Sequence, residues 1–246
     1  MPPAKEQVRA RPEPIGQLYA GTSGFSYSGW RGVFYPEKLA GSRMLEFYAE
    51  RLNGVELNGS FYRTPPAATL SGWLDRTPPS FRFCLKAHRG LTYSADAFDR
   101  VGLARNIAPN LSGLGERLGP LLLQFPPARK RDPGLLDALL EALGLRAAAE
   151  FRDESWFAPD VYGVLERRGA ALVVTDEEKW PRAPVKRLAR FAYYRLRRDY
   201  TPAELDDWGR RLEGELRHHD ELHAYFKHEP EAPARAGRLL GRRLSS

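Results

Sequence analysis

Eight short apolar runs recur along the chain, and each of them ends at a polar or charged residue. Segments with a helical spacing of apolar residues separate most of these runs. This alternation is typical of an α/β fold whose parallel strands close into a TIM-type (β/α)8 barrel, with reactive side chains at the carboxyl ends of the strands. The runs end at Thr22, Glu56, Lys86, Gln124, Glu150, Asp176, Arg195 and Lys227.

The segments between the runs contain recognisable helix boundaries. Pro133 opens one helix in its first turn, Gly169 ends another, and Thr201 begins a third with a capping box. Pro109 and Gly113 indicate that the helix of the third connection is kinked or begins late. The sixth connection has little helical pattern, so we expect it to be irregular. The predicted strands are Gln17–Ala20, Gly54–Leu57, Phe81–Ala87, Pro120–Phe125, Arg146–Phe151, Ala170–Thr175, Phe191–Leu196 and Leu222–Phe226.

The length of 246 residues suits one barrel domain, and a hydrophobic fraction of 42% is sufficient for a large core. Residues 1–16 contain four prolines and several charges, which predicts a flexible tail before a domain over residues 17–246. An open doubly wound sheet is the alternative. It is disfavoured because no Gly-x-Gly-x-x-Gly turn follows the first strand.

The cysteine content and the hydropathy of the sequence bear on disulfide bonds and on the expected cellular location. Cys84 is the single cysteine, so no disulfide can form within the chain, and its apolar neighbours indicate that it packs in the core. No apolar run of about 18 residues is present, and the amino terminus lacks the apolar stretch of a signal peptide. We therefore expect a cytoplasmic protein without membrane contact.

The charge is strongly basic, with a net value of +7 and a pI of about 9.6. Such a balance favours an anionic small molecule or nucleic acid as partner, although an arginine-rich solvated surface is an equally good explanation. The oligomeric state is not predicted. The positive residues cluster at Arg129, Lys130 and Arg131, at Lys186, Arg187 and Arg190, at Arg195, Arg197 and Arg198, and at Arg242 and Arg243.

Three residues at strand ends are the candidate catalytic groups: Glu56, Lys86 and Glu150. Side chains two apart on a strand share a face, so Glu56 is expected beside Asn58 and Glu150 beside Arg152. A buried carboxylate must be paired or protonated, which leaves two interpretations for Glu150: a general acid or base, or an ion pair with Arg152 or Lys86. Lys86 can bind an anion or act with a lowered pKa.

The loop over residues 21–24 is rich in backbone donors that can hold a phosphate, and aromatic side chains after several strands can stack on bases or sugars. A metal is possible at His88 and His228 with the carboxylates, but no metal-binding motif is present, so we expect neither metal nor cofactor. His223 is expected at the surface. The candidate substrate-binding residues are Thr22, Ser23, Tyr27, Trp30, Asn58, Tyr62, Gln124, Arg152, Trp156, Asp176, Arg195, Lys227 and His228.

Six motifs in order resemble the YecE-like family, also called domain of unknown function 72, over about residues 17–244. They are GTSGFSYSGWRGVFYP (21–36), VELNGSFYR (55–63), FRFCLKA (81–87), LLLQFPP (121–127), EFRDESWF (150–157) and YFKHE (225–229). The resemblance implies a TIM-type barrel whose matched residues line one cleft, and it suggests a nuclease-like or nucleic-acid-binding role. Many members have histidine at the position of Arg197 and proline at that of His88.

Three functions are compatible with this sequence. The first is an enzyme with hydrolase or lyase activity on an anionic, phosphate-bearing substrate, either nucleic acid or a sugar phosphate. The second is a nucleic-acid-binding protein without catalysis, and the third is a binder of carbohydrates or other small ligands. In the first, the anion is held by Lys86, Arg152, Arg195 and Lys227, and a proton is moved by Glu150 or Glu56.

Overall fold

A computed structural model describes residues 16–94 and 99–244 of the protein. All eight predicted strands are present, and every strand pair is parallel. The strands are β1 (Gln17–Thr22), β2 (Gly54–Leu57), β3 (Arg82–Leu85), β4 (Leu121–Phe125), β5 (Ala147–Phe151), β6 (Ala171–Asp176), β7 (Phe191–Leu196) and β8 (Glu221–Phe226).

Helices occupy most of the connections, and the predicted boundary signals are observed. The Thr201 hydroxyl accepts a hydrogen bond from the Glu204 N–H at 3.3 Å, and the Glu204 carboxylate accepts one from the Thr201 N–H at 2.8 Å. Pro109 lies inside the fourth helix, which gives way to a 3-10 segment over residues 112–117. The helices are α1 (Met44–Ala49), α2 (Ala67–Leu74), α3 (Arg89–Thr92), α4 (Arg100–Leu111), α5 (Pro133–Leu143), α6 (Pro159–Arg167), α7 (Pro202–Leu216) and α8 (Ala232–Leu244).

The strands form a six-stranded sheet in the order β1-β8-β7-β6-β5-β4 and a two-stranded sheet of β2 and β3. Single parallel bridges connect the two sheets at Ser23 with Glu56 and at Lys86 with Leu122. The fold is therefore α/β, with helices between parallel strands. The bridges bring Ser23, just after β1, beside Glu56 of β2, and Lys86, just after β3, beside Leu122 near the start of β4.

Apolar side chains cover both faces of the strands. A large cluster extends from Leu18 to Leu239 and packs the helices against one face. A second, smaller cluster lies on the opposite face, where Tyr193 and Tyr225 are fully buried. Burial on both faces explains the continuous apolar runs in the sequence. The smaller cluster consists of Cys84, Leu122, Ala148, Ala171, Val173, Phe191, Tyr193 and Tyr225.

His223 is the clearest correction to the expectations from the sequence, because it is fully buried and not at the surface. β8 begins at Glu221, and the alternation along the strand brings His223 to the same face as Tyr225. Its Nδ1 lies 3.5 Å from the Cys84 Sγ, and its Nε2 lies 3.2 Å from the Glu221 carboxylate. Burial lowers the pKa of His223, and burial raises the pKa of the Cys84 thiol to about 12.

Several boundaries differ from the prediction. β1 continues to Thr22, β3 is shorter at both ends, and the single turn of α3 was not expected. The irregular sixth connection is confirmed: residues 177–190, all of them described, contain neither helix nor strand.

The predicted tail over residues 1–16 lies outside the described residues except for Gly16. Among the described residues, no helix has the length and apolarity needed to cross a bilayer.

Gly21 is required where β1 meets β2, because a Cβ at this position would lie 1.8 Å from the Gly54 carbonyl oxygen. Replacing Gly21 with Ala should lower the free energy of unfolding by about 1–3 kcal/mol, as overpacking typically does. Gly29→Ala is the control, since no atom lies within 4 Å of the added carbon. Urea unfolding measures both. Equal stability of the two variants would contradict the close approach of these strands.

Candidate active site

The centre of the site is a buried ion pair between β2 and β7. The Arg195 guanidinium donates two hydrogen bonds to the Glu56 carboxylate, from Nε and Nη2, each 2.8 Å long. Ser23 donates to the same carboxylate at 2.7 Å, and Tyr193 donates at 3.0 Å. Glu56 is 0% exposed and Arg195 is 1% exposed. Four hydrogen bonds therefore hold Glu56 as a carboxylate without access to water.

Glu150, at the end of β5, is the second carboxylate bound by Arg195, through Nη1. Its other oxygen accepts hydrogen bonds from Gln124 at 2.9 Å and from Arg152 at 3.1 Å. The strand register accounts for this meeting, because Gln124 pairs with Glu150 across β4 and β5. Tyr93, which follows α3, extends the network with a 3.1 Å hydrogen bond to the Gln124 side chain.

Electrostatics keep both carboxylates ionised. Burial raises the pKa of Glu56, but the Arg195 charge outweighs this effect and brings the pKa down to about 2. The pKa of Glu150 is also lowered, since the charges of Arg195 and Arg152 outweigh its burial. Burial lowers the pKa of Arg195, but the two carboxylates outweigh this effect and raise the pKa, so Arg195 stays protonated. The pair expected to transfer protons is thus held in the charged form at neutral pH.

Lys86 has a different environment from the carboxylates. Its Nζ lies 3.9 Å from the centre of the Phe61 ring, and no carboxylate of the described residues is within ion-pair distance. Burial and the nearby Arg195 charge lower the pKa of Lys86 to about 8, against a partial opposing effect of Glu150 and Glu56. Of Glu56, Lys86 and Glu150, Lys86 therefore has the pKa closest to neutral pH.

Two arginines flank the buried carboxylates. Arg197 donates from Nη1 to the Ser23 hydroxyl at 2.7 Å, and Glu177 is a nearby negative charge. Arg152 contacts Glu150 through Nε, while its guanidinium lies 4.5 Å from the centre of the Trp180 ring. Arg197 is half-buried and forms no ion pair with a described carboxylate. Both guanidinium groups retain donors for a further ligand.

Two predicted binding residues point away from this cluster. Thr22 donates to the Gly24 carbonyl at 2.6 Å and contacts Tyr48, on the helix side of β1. Asp176 accepts hydrogen bonds from Arg198 at 3.1 Å and Tyr200 at 2.9 Å. Both strands extend through these residues, so the alternation turns Thr22 and Asp176 outward and brings their neighbours Ser23 and Thr175 inward.

Of the aromatic residues predicted to stack on a ligand, some lie in the core and others at the surface. Trp30 and Trp156 are 1% and 0% exposed, so neither offers a face to a ligand. Trp30 donates to the His228 carbonyl at 3.2 Å, and Trp156 stacks on Phe151 at 4.5 Å between ring centres. Tyr27 stacks on the exposed His228 ring, with 5.1 Å between ring centres.

The remaining predicted residues lie at the edge of the site. Tyr62 is 70% exposed and contacts the Phe61 ring. The Asn58 carbonyl accepts the Phe61 N–H at 3.1 Å, which begins the short 3-10 turn after β2. Lys227 forms an ion pair with Glu229 at 2.9 Å, so its charge is already compensated.

The sequence interpretation did not select four residues that the structure brings to the site. Tyr193 and Arg197 lie two positions before and after Arg195, so the strand alternation could have identified them. Tyr93 and Trp180 come from irregular segments whose path the sequence does not encode in a periodic pattern. Among the described residues, no group of three histidine, cysteine or acidic side chains has the geometry of a metal site.

Comparison with known proteins places this geometry in a family. The sequence model of the family described as "Protein of unknown function DUF72" matches residues 19–244. The chain belongs to the DUF72 family. The UPF0759 protein YunF of Bacillus subtilis (strain 168) is 31% identical over 159 residues, which is 59% of this chain and 54% of YunF. The match thus spans about half the length of this relative.

Solved structures of DUF72 proteins have the same fold. The protein TM1631 of Thermotoga maritima MSB8 superposes with a TM-score of 0.78 and 28% identity, over 94% of this chain and 100% of that one. The protein EF0366 of Enterococcus faecalis V583 superposes with a TM-score of 0.74 and 19% identity, over 94% and 98% of the two chains. The latter likeness shows the fold alone.

Arg195 should be essential for the charge balance of this DUF72 protein. Replacing Arg195 with Met leaves two buried carboxylates without their shared cation, which should cost about 3–5 kcal/mol at pH 7. The pKa of Glu56 is depressed in the folded wild type, so its stabilising effect is present above about pH 4.5 and lost toward pH 2. In the variant, folding must protonate the carboxylates, so the deficit should shrink as pH falls.

Urea unfolding of both proteins between pH 4 and pH 8 measures this deficit. Arg190→Met is the matched control, because Arg190 is 89% exposed and its ion pair with Asp220 is at the surface. Its effect should stay within about 1 kcal/mol. A deficit for Arg195→Met that is the same at every pH would contradict the proposed charge coupling.

Proposed function

We propose that this protein is an enzyme acting on an anionic, phosphate-bearing substrate at the carboxyl ends of its strands. One observation carries the proposal: two cations that have no carboxylate partner among the described residues, Lys86 and Arg197, flank a carboxylate pair that Arg195 already compensates. Lys86 packs on Phe61, and Arg197 donates to a hydroxyl. Unpaired positive charge in a partly buried site attracts and orients an anion.

Arg197 and Arg152 are the best candidates for holding the phosphate. Each keeps guanidinium donors beyond its contact with Ser23 or Glu150, and arginine matches phosphate oxygens with two parallel hydrogen bonds. Arg195 is less suited to this role than the sequence suggests, because three of its donors are used by carboxylates. Lys227 is less suited because of its ion pair with Glu229.

Proton transfer is assigned to Lys86. A general acid or base works best when its pKa is near the working pH, and the pKa of Lys86 is about 8. Glu56 has a pKa of about 2 and is fully buried, so it is a weak base without access to substrate. Glu56 and Glu150 then position Arg195, and hydrolysis or lyase chemistry proceeds with Lys86 as the exchanging group.

We further propose that the eight strands close into a TIM-type (β/α)8 barrel. The bridges from Ser23 to Glu56 and from Lys86 to Leu122 support closure, since each connects the edges of the two sheets. The smaller apolar cluster supports it as well, because side chains from several strands fill the interior of such a barrel. The rim of this barrel is the usual place of an active site.

Binding of nucleic acid without catalysis is the second hypothesis. Ion pairs within the basic clusters argue against it. Arg187 binds Glu215 at 2.9 Å, and Lys130 binds Asp153 at 2.5 Å. These basic clusters therefore have much of their charge compensated within the protein. Their contribution to phosphate contacts should be smaller than the net charge of +7 suggests.

Replacing Arg197 with Met should weaken the binding of inorganic phosphate by about tenfold or more, as expected for a lost charge-assisted hydrogen bond. Isothermal titration calorimetry at low salt measures the affinity. Arg190→Met is the matched control, since Arg190 precedes β7 at the opposite end of the strand. Equal affinities of the two variants would refute the assignment of Arg197.

A fluorescent single-stranded oligonucleotide separates the two hypotheses in the same variants. If nucleic acid is the substrate, Arg197→Met should weaken its binding as it weakens phosphate binding. Binding that is steeply salt-dependent but insensitive to Arg197→Met would favour the second hypothesis. The absence of binding at about 50 mM salt would exclude that hypothesis.

A further inference from the structure

Lys86 can act as a nucleophilic amine as well as a cation of the site, because its Nζ packs on an aromatic ring at the end of a strand. It follows β3, and its backbone is fixed by a hydrogen bond from its N–H to the Leu57 carbonyl at 2.9 Å and by one from Ser60 to its carbonyl at 2.7 Å. The Nζ lies on the Phe61 ring, which has Tyr93 at its edge, 5.1 Å between ring centres.

The charges around Lys86 disfavour an additional proton. Arg195 and Arg152 are nearby cations, and the carboxylates that could compensate Lys86 are bound to those arginines. An ordinary surface lysine has a pKa of about 10.4, whereas burial and these charges bring that of Lys86 to about 8. The Phe61 face favours the ammonium form, so the amine becomes neutral only slightly above neutral pH.

We propose that Lys86 forms an imine with the carbonyl group of a phosphorylated aldehyde or ketone, while Arg197 and Arg152 hold the phosphate. This inference rests on the proposed function and adds the substrate class. The Lys86 amine follows β3, packs on the Phe61 ring and lies near the Arg195 and Arg152 guanidinium groups. This arrangement fits a small substrate that has a carbonyl carbon and a phosphate.

The chemical step is balanced without an oxidant or reductant. The Nζ lone pair forms a bond to the carbonyl carbon while the C=O π bond breaks, which gives a carbinolamine. The oxygen then leaves as water, after it has taken up one proton from Nζ and one from solvent. The product is a protonated imine, whose positive charge withdraws electrons from the neighbouring carbon and favours carbon–carbon or carbon–hydrogen cleavage there.

Pyridoxal 5′-phosphate is a suitable probe, because it combines an aldehyde with a phosphate. Incubation of the full chain with this probe, followed by borohydride, should fix it to Lys86 as a secondary amine, which peptide mass spectrometry localises. At pH 7 the labelling of Lys86 should be at least about tenfold faster than that of Lys186, because a lower pKa leaves more neutral amine. Its rate should level off above about pH 8.

Two variants serve as controls. Lys86→Met should remove the fast labelling, whereas Lys186→Met should leave it unchanged, since Lys186 lies before β7 at the opposite end of the strand. Circular dichroism checks that both variants fold. Should Lys86→Met fail to fold, Lys86→Arg retains the charge and should also lose the label. Labelling of Lys86 no faster than that of Lys186 would overturn the proposal.

Two further labelling experiments, one with inorganic phosphate as competitor and one with pyridoxal, distinguish imine formation at Lys86 from anion binding. Inorganic phosphate should slow the labelling of Lys86, and pyridoxal without phosphate should react about tenfold more slowly. Calorimetric binding of the probe without borohydride fixation at Lys86 would reject the imine and leave the anion site intact. Equal labelling by pyridoxal with and without phosphate would support the nucleophile and reject the anion site.

Discussion

The shared salt bridge of Arg195 determines how the rest of the site is arranged. One guanidinium from β7 connects a carboxylate of β2 to a carboxylate of β5, and all three groups are shielded from water. Desolvating three charges is costly, so such a triad is a poor source of stability compared with apolar packing. Its value lies in geometry, because it fixes the positions of Glu56 and Glu150 across strands that belong to different sheets.

The salt bridges of Arg195 also affect the charges around them. Because the carboxylates are occupied by Arg195, they cannot fully neutralise Lys86 or Arg197. These two residues, together with Arg152, are left as an excess of positive charge in a partly buried region. Together with burial, the Arg195 charge therefore lowers the pKa of Lys86, and in the proposed function the excess positive charge attracts the anionic substrate. Structure and proposed chemistry depend on one set of contacts.

The strands and many of the polar residues at their carboxyl ends could be predicted from the sequence, since apolar runs and their polar ends are local signals. The alternation correctly joined Glu150 with Arg152, but a polar residue at the end of a run does not fix which face it occupies. Asp176 therefore points outward, where it meets Arg198. The sharing of Arg195 by Glu56 and Glu150 was not identified, because a single sequence does not show which distant side chains meet. Trp156 was misassigned because a buried and an exposed aromatic residue are alike in sequence.

The placement of Cys84 has a practical consequence. The chain has a single cysteine, and its thiol is enclosed among Tyr225, His223 and apolar neighbours. Only the thiolate reacts readily with alkylating reagents, and a pKa of about 12 keeps this group protonated. A second cysteine introduced at an exposed position would thus be the one modified. Fluorophores or spin labels can be attached at chosen sites without first removing the native sulfur.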